Sequence, residues 1–562
     1  MPTLNKPDSQ SRLRRSIYFV LIAASVGVML GRILALDSVD KTEIQKFRIK
    51  GRLDEFQKDL QKELDDKADV WEREGRSEEE IEELRETEFQ ERLQAEEHRL
   101  EQAMYMRRPF LSANDRSRWC TIRVLVEPEL QVAGAPYAID RVIQQPNWDT
   151  IDMVKHAKYF EGGTAKDLVR DPNDSQRILK WNGQQVDGHV YSSKPPLLPT
   201  LIAGEYWLIN RLTGKTLGTH PFAIGRFMLI TINVIPLLIA FWLLGRLVER
   251  LGTSDWGRIF VMAAAAFGTF LTTFAVTLNN HIPAAVCAVV TLYAAVRIWF
   301  DEERRWWYFA IAGFFGAMMA ANELPALSLF ALLGAALLWK APRPTLLAFV
   351  PAAAVVAVAF FGTNWIAHES LVPAYMHRGG GGENDWYDYT YIRGKEGGTA
   401  REIDSYWLDP QGVDKGESSW SVYAFNVVVG HHGIFSLTPL WLLSVAGVLV
   451  WLKNRKDRPL RELALAIGAV SAVCVAFHLY KWQTYGNYGG MTCGLRWLFW
   501  LAPLWLLAML PAADALASRA WTRGLALLLL AVSVLSASYA TWNPWTHPWL
   551  MDFAHYMGWI AG

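Results

Sequence analysis

Cysteine is scarce in this chain: four in 562 residues, at 120, 287, 474 and 493, with no CxxC pair. That excludes zinc knuckles and dithiol redox motifs, which need closely spaced thiols. Cys287 and Cys474 lie within apolar runs, where a thiol packs as a small hydrophobe. Cys120 and Cys493 fall on one side of the membrane in the topology below, so a disulfide is allowed, though no spacing requires it. Net charge is missing too, since 56 basic side chains meet 56 acidic ones. The chain therefore lacks the basic field of a nucleic-acid binder, and no nucleic-acid partner is expected. No small-x-small cleavage site follows the first apolar run. SRLRRS and the stretch from Ile17 to about Leu36 thus read as an uncleaved first span rather than a signal peptide.

What is abundant is apolar side chains, 51% of the residues, with 26 Trp and 26 Phe. From residue 221 onward, apolar runs of roughly 18–25 residues recur, the length that crosses a bilayer. The candidate spans after the first, some of them shorter than this, are about 221–245, 258–278, 282–300, 307–321, 324–340, 345–366, 433–452, 460–480, 495–511 and 523–541. The connections alternate in character. GRLVERLG, DEERRWW, WKAPRP, KNRKDR and ASRAWTR form one set. VTLNNH, ANELP, the loop 367–432 and YGNYGGMTCG form the other. Short cytoplasmic loops carry the Lys and Arg excess, so the first set is expected inside, together with SRLRRS. The expected fold class is an all-α polytopic membrane protein of about eleven spans. Its N-terminus lies in the cytoplasm, its C-terminal tail outside, and the membrane is the plasma (inner) membrane.

The stretch YSSKPPLLPTLIAGEYWLINRL (191–212) is nearly long enough to span. If it did, five basic loops would change sides. It is expected to lie along the outer surface instead. Leu197, Leu198, Leu201, Ile202, Leu208, Ile209 and Leu212 share one arc of a helical wheel, as in an interfacial helix with its apolar face toward membrane lipid or the bundle. Pro195 and Pro196 sit at the first turn, where a missing N–H costs nothing. Glu205 interrupts that arc, either as a paired group at the interface or as one facing a groove.

The chain then divides into a cytoplasmic start with the first span (1–36), a charged segment (37–108) and a first outer loop (109–220). Further spans (221–366) lead to a long outer loop (367–432) that could act as a lid, the last spans (433–541) and a tail (542–562). The charged segment is rich in helix formers with opposite charges four apart, and Gly75 interrupts it. Ser77 with Glu80 forms a capping-box start. Two helices in an external antiparallel hairpin follow, either solvated and self-packed or a docking arm for a protein partner.

Polar residues at membrane depth are candidates for function, and here they crowd the outer connections: SANDRSRW, SSKPP, TLNNH, ANE, GHHG and GNYGGMTCGLRW. Asp115 is the acid/base candidate, or else merely pairs with Arg116, Arg118 and Arg123. Lys194 and Arg496 are candidate phosphate ligands, or else snorkel at the interface. Asn280, His281, Glu323, His431 and His432 are candidates for binding sugar or phosphate, with Glu323 either a second carboxylate or a helix cap. Adjacent histidines suit hydrogen bonding better than a shared metal ion, so a divalent metal is possible but unsupported. In the long loop, HRGGGGENDWYDYTYIRG sets glycines beside Trp386 and Tyr387, an arrangement suited to stacking on sugar rings.

These segments resemble a family. NDRSRWCTIRVLVE is similar to the acidic motif in the first outer loop of GT-C membrane glycosyltransferases. SSKPPLLPTLIAGEYWL resembles the KPPL segment of the protein O-mannosyltransferase and aminoarabinose-transferase branch. TLNNHIPAA and GGMTCGLRWLFWLAPL are similar to further marks of bacterial members. The resemblance covers about 109–515 and omits the charged hairpin. It implies a GT-C-like fold and inverting transfer of a sugar from a polyprenyl-phosphate carrier to a glycan, lipid or protein acceptor outside the membrane. Asp115 would be the base or an acceptor-orienting carboxylate, and Lys194 would hold the carrier phosphate. The chain departs from the family's pattern at Asn114–Asp115, where an acidic pair is usual, at Ser193, where some relatives place a metal-binding carboxylate, and at His281, where an acidic residue is frequent. A transporter or flippase for a lipid-linked sugar, and a non-catalytic membrane scaffold, are the competing readings. The first would need polar residues in mid-span along a pathway, and the polar groups here crowd one face.

Overall fold

The computed structural model describes residues 9–35, 41–103, 110–145, 148–156, 168–171, 174–181, 184–185, 188–378, 386–393 and 401–560. It forms two compact units, Leu34–Pro109 on one hand and Met1–Ile33 with Phe110–Gly562 on the other. The fold is all-α and polytopic, with three small antiparallel sheets among the described residues of its loops.

In the unit Leu34–Pro109, α2 (Lys41–Arg73) and α3 (Glu78–Ala103) run antiparallel. Gly75, at φ +83°, makes the reversal that a side chain would resist. Ser77 Oγ accepts from Glu80 N at 3.3 Å while Ser77 N donates to Glu80 Oε2 at 3.1 Å, a reciprocal cap that starts α3. Lys67–Glu88, Arg92–Glu63 and Arg85–Asp65 bridge the two helices. Such exposed pairs set register more than they add stability. Leu60, Leu64 and Leu100 are the buried apolar residues.

In the larger unit, eight helices among the described residues are long and apolar enough to cross a membrane. They are Gln10–Leu34, within α1 (Ser9–Leu34), then Pro221–Leu251, Asp255–Val276, His281–Trp299, Pro342–His368, Arg458–Tyr480, Arg496–Leu516 and Ala520–Tyr539. Leu324–Lys340, Trp441–Lys453 and the 17-residue helix Trp306–Asn322 are apolar but shorter. The run expected at 433–452 is not one helix. It breaks between Ile434–Leu437 and Trp441–Lys453, because Pro439 pushes Thr438 out of helical geometry, to φ −130° and ψ 72°. Spans meet closely where glycine allows. A Cβ on Gly447 would run into the carbonyl of Ala508 in the span Arg496–Leu516. Gly447→Ala is therefore expected to destabilise the bundle by about 1–3 kcal/mol, measurable as a lower unfolding temperature in detergent.

Between α1 and the span Pro221–Leu251, the chain builds a small layer that carries the site. It contains α4 (Ala113–Val126), the one-turn α5 (Asp140–Ile143) and β1 (Met153–His156). A three-stranded sheet follows, β2 (Leu168–Asp171), β3 (Asp174–Trp181) and β4 (Gln184–Gln185). Then come β5 (His189–Ser192) and α6 (Leu197–Thr213). α6 begins directly after the two prolines and ends on Gly214 in the left-handed region. The apolar arc expected on α6 is split. Leu197 and Ile202 join Ala203 and Tyr206 in the buried face, while Leu201, Leu208 and Leu212 are exposed. The loop 367–432 is largely ordered in its described parts. β6 (Thr390–Arg393) and β7 (Arg401–Asp404) form a ladder, and a helix runs over Trp420–Val428. The glycine run expected to make it a mobile lid lies outside the described residues.

Candidate functional site

A cavity of about 640 Å³ opens in the larger unit where α4, the ends of β1 and β5, the loop 367–432 and several spans converge. Its wall is built first by a strand pair. β1 and β5 are antiparallel, with Met153 opposite Ser192, and Ser193 N donates to Asp152 O at 3.1 Å. The residues just beyond the ladder, Asp152 and Lys194, are thus side by side, with Oδ1 and Nζ 3.0 Å apart. Ser117 of α4 steadies both strands, donating to Asp152 O at 2.7 Å and meeting Ser192 Oγ at 2.5 Å. Burial alone would raise Asp152, but Lys194, Arg496 and Arg378 outweigh it and hold the carboxyl below its ordinary pKa. Burial, opposed by Asp152, pushes the Lys194 ammonium down to about 8.

A second wall carries two arginines. Arg118, 3% exposed, donates to Asn114 Oδ1 at 2.5 Å and to Asn280 Oδ1 at 2.6 Å. Arg496, 8% exposed, donates to Gly489 O at 2.5 Å and lies 3.1 Å from His281 Nε2, with its guanidinium over the ring of Trp545. Among the described residues neither arginine pairs directly with a carboxylate. Glu323 stands behind them, accepting from Asn280 Nδ2 at 2.7 Å and hydrogen-bonded to His281 Nδ1. Lys194, Arg496, Asn280, His281 and Glu323, singled out in the sequence, all line the cavity.

Asp115 does not line it, which alters the catalytic expectation. Its carboxylate is fully buried and turned toward backbone. Oδ2 accepts from Leu111 N at 3.0 Å, and Oδ1 accepts from Trp119 Nε1 at 2.8 Å and Leu278 N at 3.1 Å. Burial pushes its pKa up to about 7, against three N–H donors and Arg118, which favour the anion. Asp115 therefore pins the start of α4 to the turn that carries Asn280 and His281. Both of its oxygens are engaged by these donors, away from the cavity.

Four more candidates also lie off the cavity wall. His432 stacks on Tyr488, ring centroids 4.2 Å apart, and its Nδ1 lies 2.6 Å from that of His431. Trp386 stacks on His377 at 4.3 Å, and Tyr387 is buried with its hydroxyl toward Ala374 O. His431 and His432 pack against Tyr488, and Trp386 and Tyr387 against His377 and Trp407. This loop brings Tyr375, Arg378, Trp407 and Asp414 to the cavity, with Arg378 stacked 3.8 Å over Trp407. Glu205 also faces elsewhere, accepting from Thr231 Oγ1 at 2.5 Å. The four cysteines are buried and unbridged.

Sequence reasoning passed over Asp152 and gave Arg118 only a supporting part. The available signal for Asp152 was its place at the head of MVKH, a short extended run that can pair with HVYS before Lys194. Among the described residues no group of three or more His, Cys, Asp or Glu is placed to hold a metal ion.

No family model matches the chain. No curated protein matches it either. Among solved structures, the oligosaccharyltransferase of Archaeoglobus fulgidus, in a complex with zinc and sulfate, is similar over 64% of this chain and 46% of its own length, at 17% identity and a TM-score of 0.34. This chain thus spans less than half of that protein, and a likeness at that level fixes neither its fold nor its activity.

Proposed function

We propose that the protein is a membrane glycosyltransferase of the GT-C class, which moves a sugar from a polyprenyl-phosphate carrier to a hydroxyl acceptor at the outer face of the plasma (inner) membrane, with inversion. The observation that carries this reading is the charge arrangement of the cavity. One carboxylate, Asp152, sits against Lys194, and two buried arginines nearby have no carboxylate bound to them among the described residues. The alternation of basic and neutral connections supports the outward orientation.

Asp152 is the base. It takes the proton of the acceptor hydroxyl as that oxygen bonds to the anomeric carbon. The bond from that carbon to the phosphate oxygen breaks, and its electron pair leaves on the phosphate. The phosphate gains one negative charge, which Lys194, Arg118 and Arg496 meet with positive charge already in place. Lys194 has three N–H donors, so one can serve Asp152 while others face phosphate. The carrier's tail would leave along Leu324, Pro325, Val473 and Phe477, apolar residues on the same cavity wall.

The test is release of free polyprenyl phosphate by purified protein in lipid, across a panel of polyprenyl-phosphate sugars. Sustained release establishes the transferase. No release across the panel favours a non-catalytic scaffold. Lys194→Ala is expected to raise the KM for the donor about tenfold or more, the effect of removing one charge-assisted contact. In the wild type, kcat/KM should fall as pH rises through about 8, where Lys194 loses its proton. A KM that ignores both changes would remove Lys194 from the donor site.

A further inference from the structure

Glu323 occupies the cavity wall without touching either arginine, and its partners explain why. A guanidinium can only donate, so at the 3.1 Å contact between Arg496 Nη1 and His281, Nε2 must be the acceptor. The imidazole proton is then on Nδ1, which donates to Glu323 Oε1. The same oxygen accepts from Asn280 Nδ2 at 2.7 Å, a group that also donates to Asn322 O at 3.0 Å. This turns Asn280 Oδ1 toward Arg118 Nη2 at 2.6 Å. One carboxylate oxygen thus sets a ring tautomer and an amide orientation, and through them the positions of two arginines that lie far apart in the chain. His281, Glu323, Arg118 and Arg496 are all at most 8% exposed. The Nε of Arg496 is buried with no hydrogen-bond partner.

We infer that Glu323 is a positioning residue, which acts through His281 and Asn280 to hold Arg496 and Arg118 as a two-arginine clamp for the carrier phosphate. A direct salt bridge would fix either guanidinium equally well but would offset its charge. A neutral His and a neutral Asn in between fix the geometry and leave both cations available to an anion. What Glu323 supplies is therefore an acceptor oxygen at one place, and its own charge is secondary. The inference rests on the phosphate reading above.

Two substitutions separate place from charge. Glu323→Gln keeps the oxygen at its distance and removes the charge. Glu323→Asp keeps the charge and draws the oxygen back by one methylene, away from both donors. The probe is farnesyl phosphate, titrated calorimetrically into the purified full chain in detergent, with unfolding temperature recorded for each variant. The expected order is wild type, then Glu323→Gln within about threefold in Kd, then Glu323→Asp weakened about tenfold or more, as is Arg496→Lys, which cannot span the same contacts. Glu323→Asp binding more tightly than Glu323→Gln would overturn the inference, since charge and not position would then matter. So would equal binding by both variants and the wild type. No binding by the wild type would instead remove the phosphate from the clamp, and the proposed function would fall with it.

Discussion

Asp152→Asn is expected to lower sugar transfer by about 10²–10⁴-fold, the usual contribution of a positioned general base, with the unfolding temperature nearly unchanged. The amide oxygen can still accept from Lys194, so the ladder end that joins Asp152 to Lys194 keeps its form. The capacity to take a proton is gone, and with it the negative charge that opposes burial at Lys194. The pH profile gives the sign. Lys194, Arg496 and Arg378 hold the Asp152 pKa below its ordinary value, so wild-type transfer should persist as pH falls to about 4, near the unperturbed carboxylate value. Rates are measured as release of polyprenyl phosphate. Full activity in the variant would move the base to another carboxylate on the cavity wall, Glu323 or Asp414.

The second large effect is expected at Asp115 and is of a different kind. Asp115→Ala strands three buried donors, Leu111 N, Trp119 Nε1 and Leu278 N. Each unsatisfied group costs about 1–3 kcal/mol, which places the variant in the upper tail of single substitutions, above about 4 kcal/mol. Asp115→Asn is milder but still unfavourable, because its NH₂ must face one of those donors. Thermal unfolding in detergent separates the two aspartates. The Asp115 variants should lose the fold, and activity with it, whereas Asp152→Asn should lose activity alone. An Asp115→Asn protein as stable as the wild type yet inactive would restore a direct catalytic part to Asp115.

The contrast marks where sequence stops informing. Helices and their ends were legible, because apolar runs of membrane length are hard to read otherwise and Gly75, Ser77 and Pro195 punctuate them with known chemistry. The polar groups interrupting those runs were legible as well. Lys194, Asn280, His281, Glu323 and Arg496 stand at run ends, and the structure sets them around one cavity. Which way a carboxylate points was not legible. Asp115 and Asp152 are both aspartates of the segment between the first two spans. One turns to backbone N–H groups and the other to a lysine, and that depends on a strand pairing across about forty residues. His431, His432, Trp386 and Tyr387 carry the right chemistry beside the right spans. They spend it on ring contacts with Tyr488, His377 and Trp407, which no local pattern announces.

The cavity wall is drawn from across the chain, with Asn114 near one extreme and Trp545 near the other. Its contacts join residues 162 apart between Arg118 and Asn280, and 215 apart between His281 and Arg496. During synthesis, then, Arg118, Lys194 and Glu323 are made long before Arg496 and Trp545. Until the last spans insert, those early groups have no finished pocket and must stay in contact with water. Assembly of the site is thus a late, long-range event, of the sort that folds slowly and passes through exposed intermediates. A ribosome-bound chain stopped before Arg496 would carry the acid–base pair and half of the clamp, and would still lack a closed chamber in which to use them.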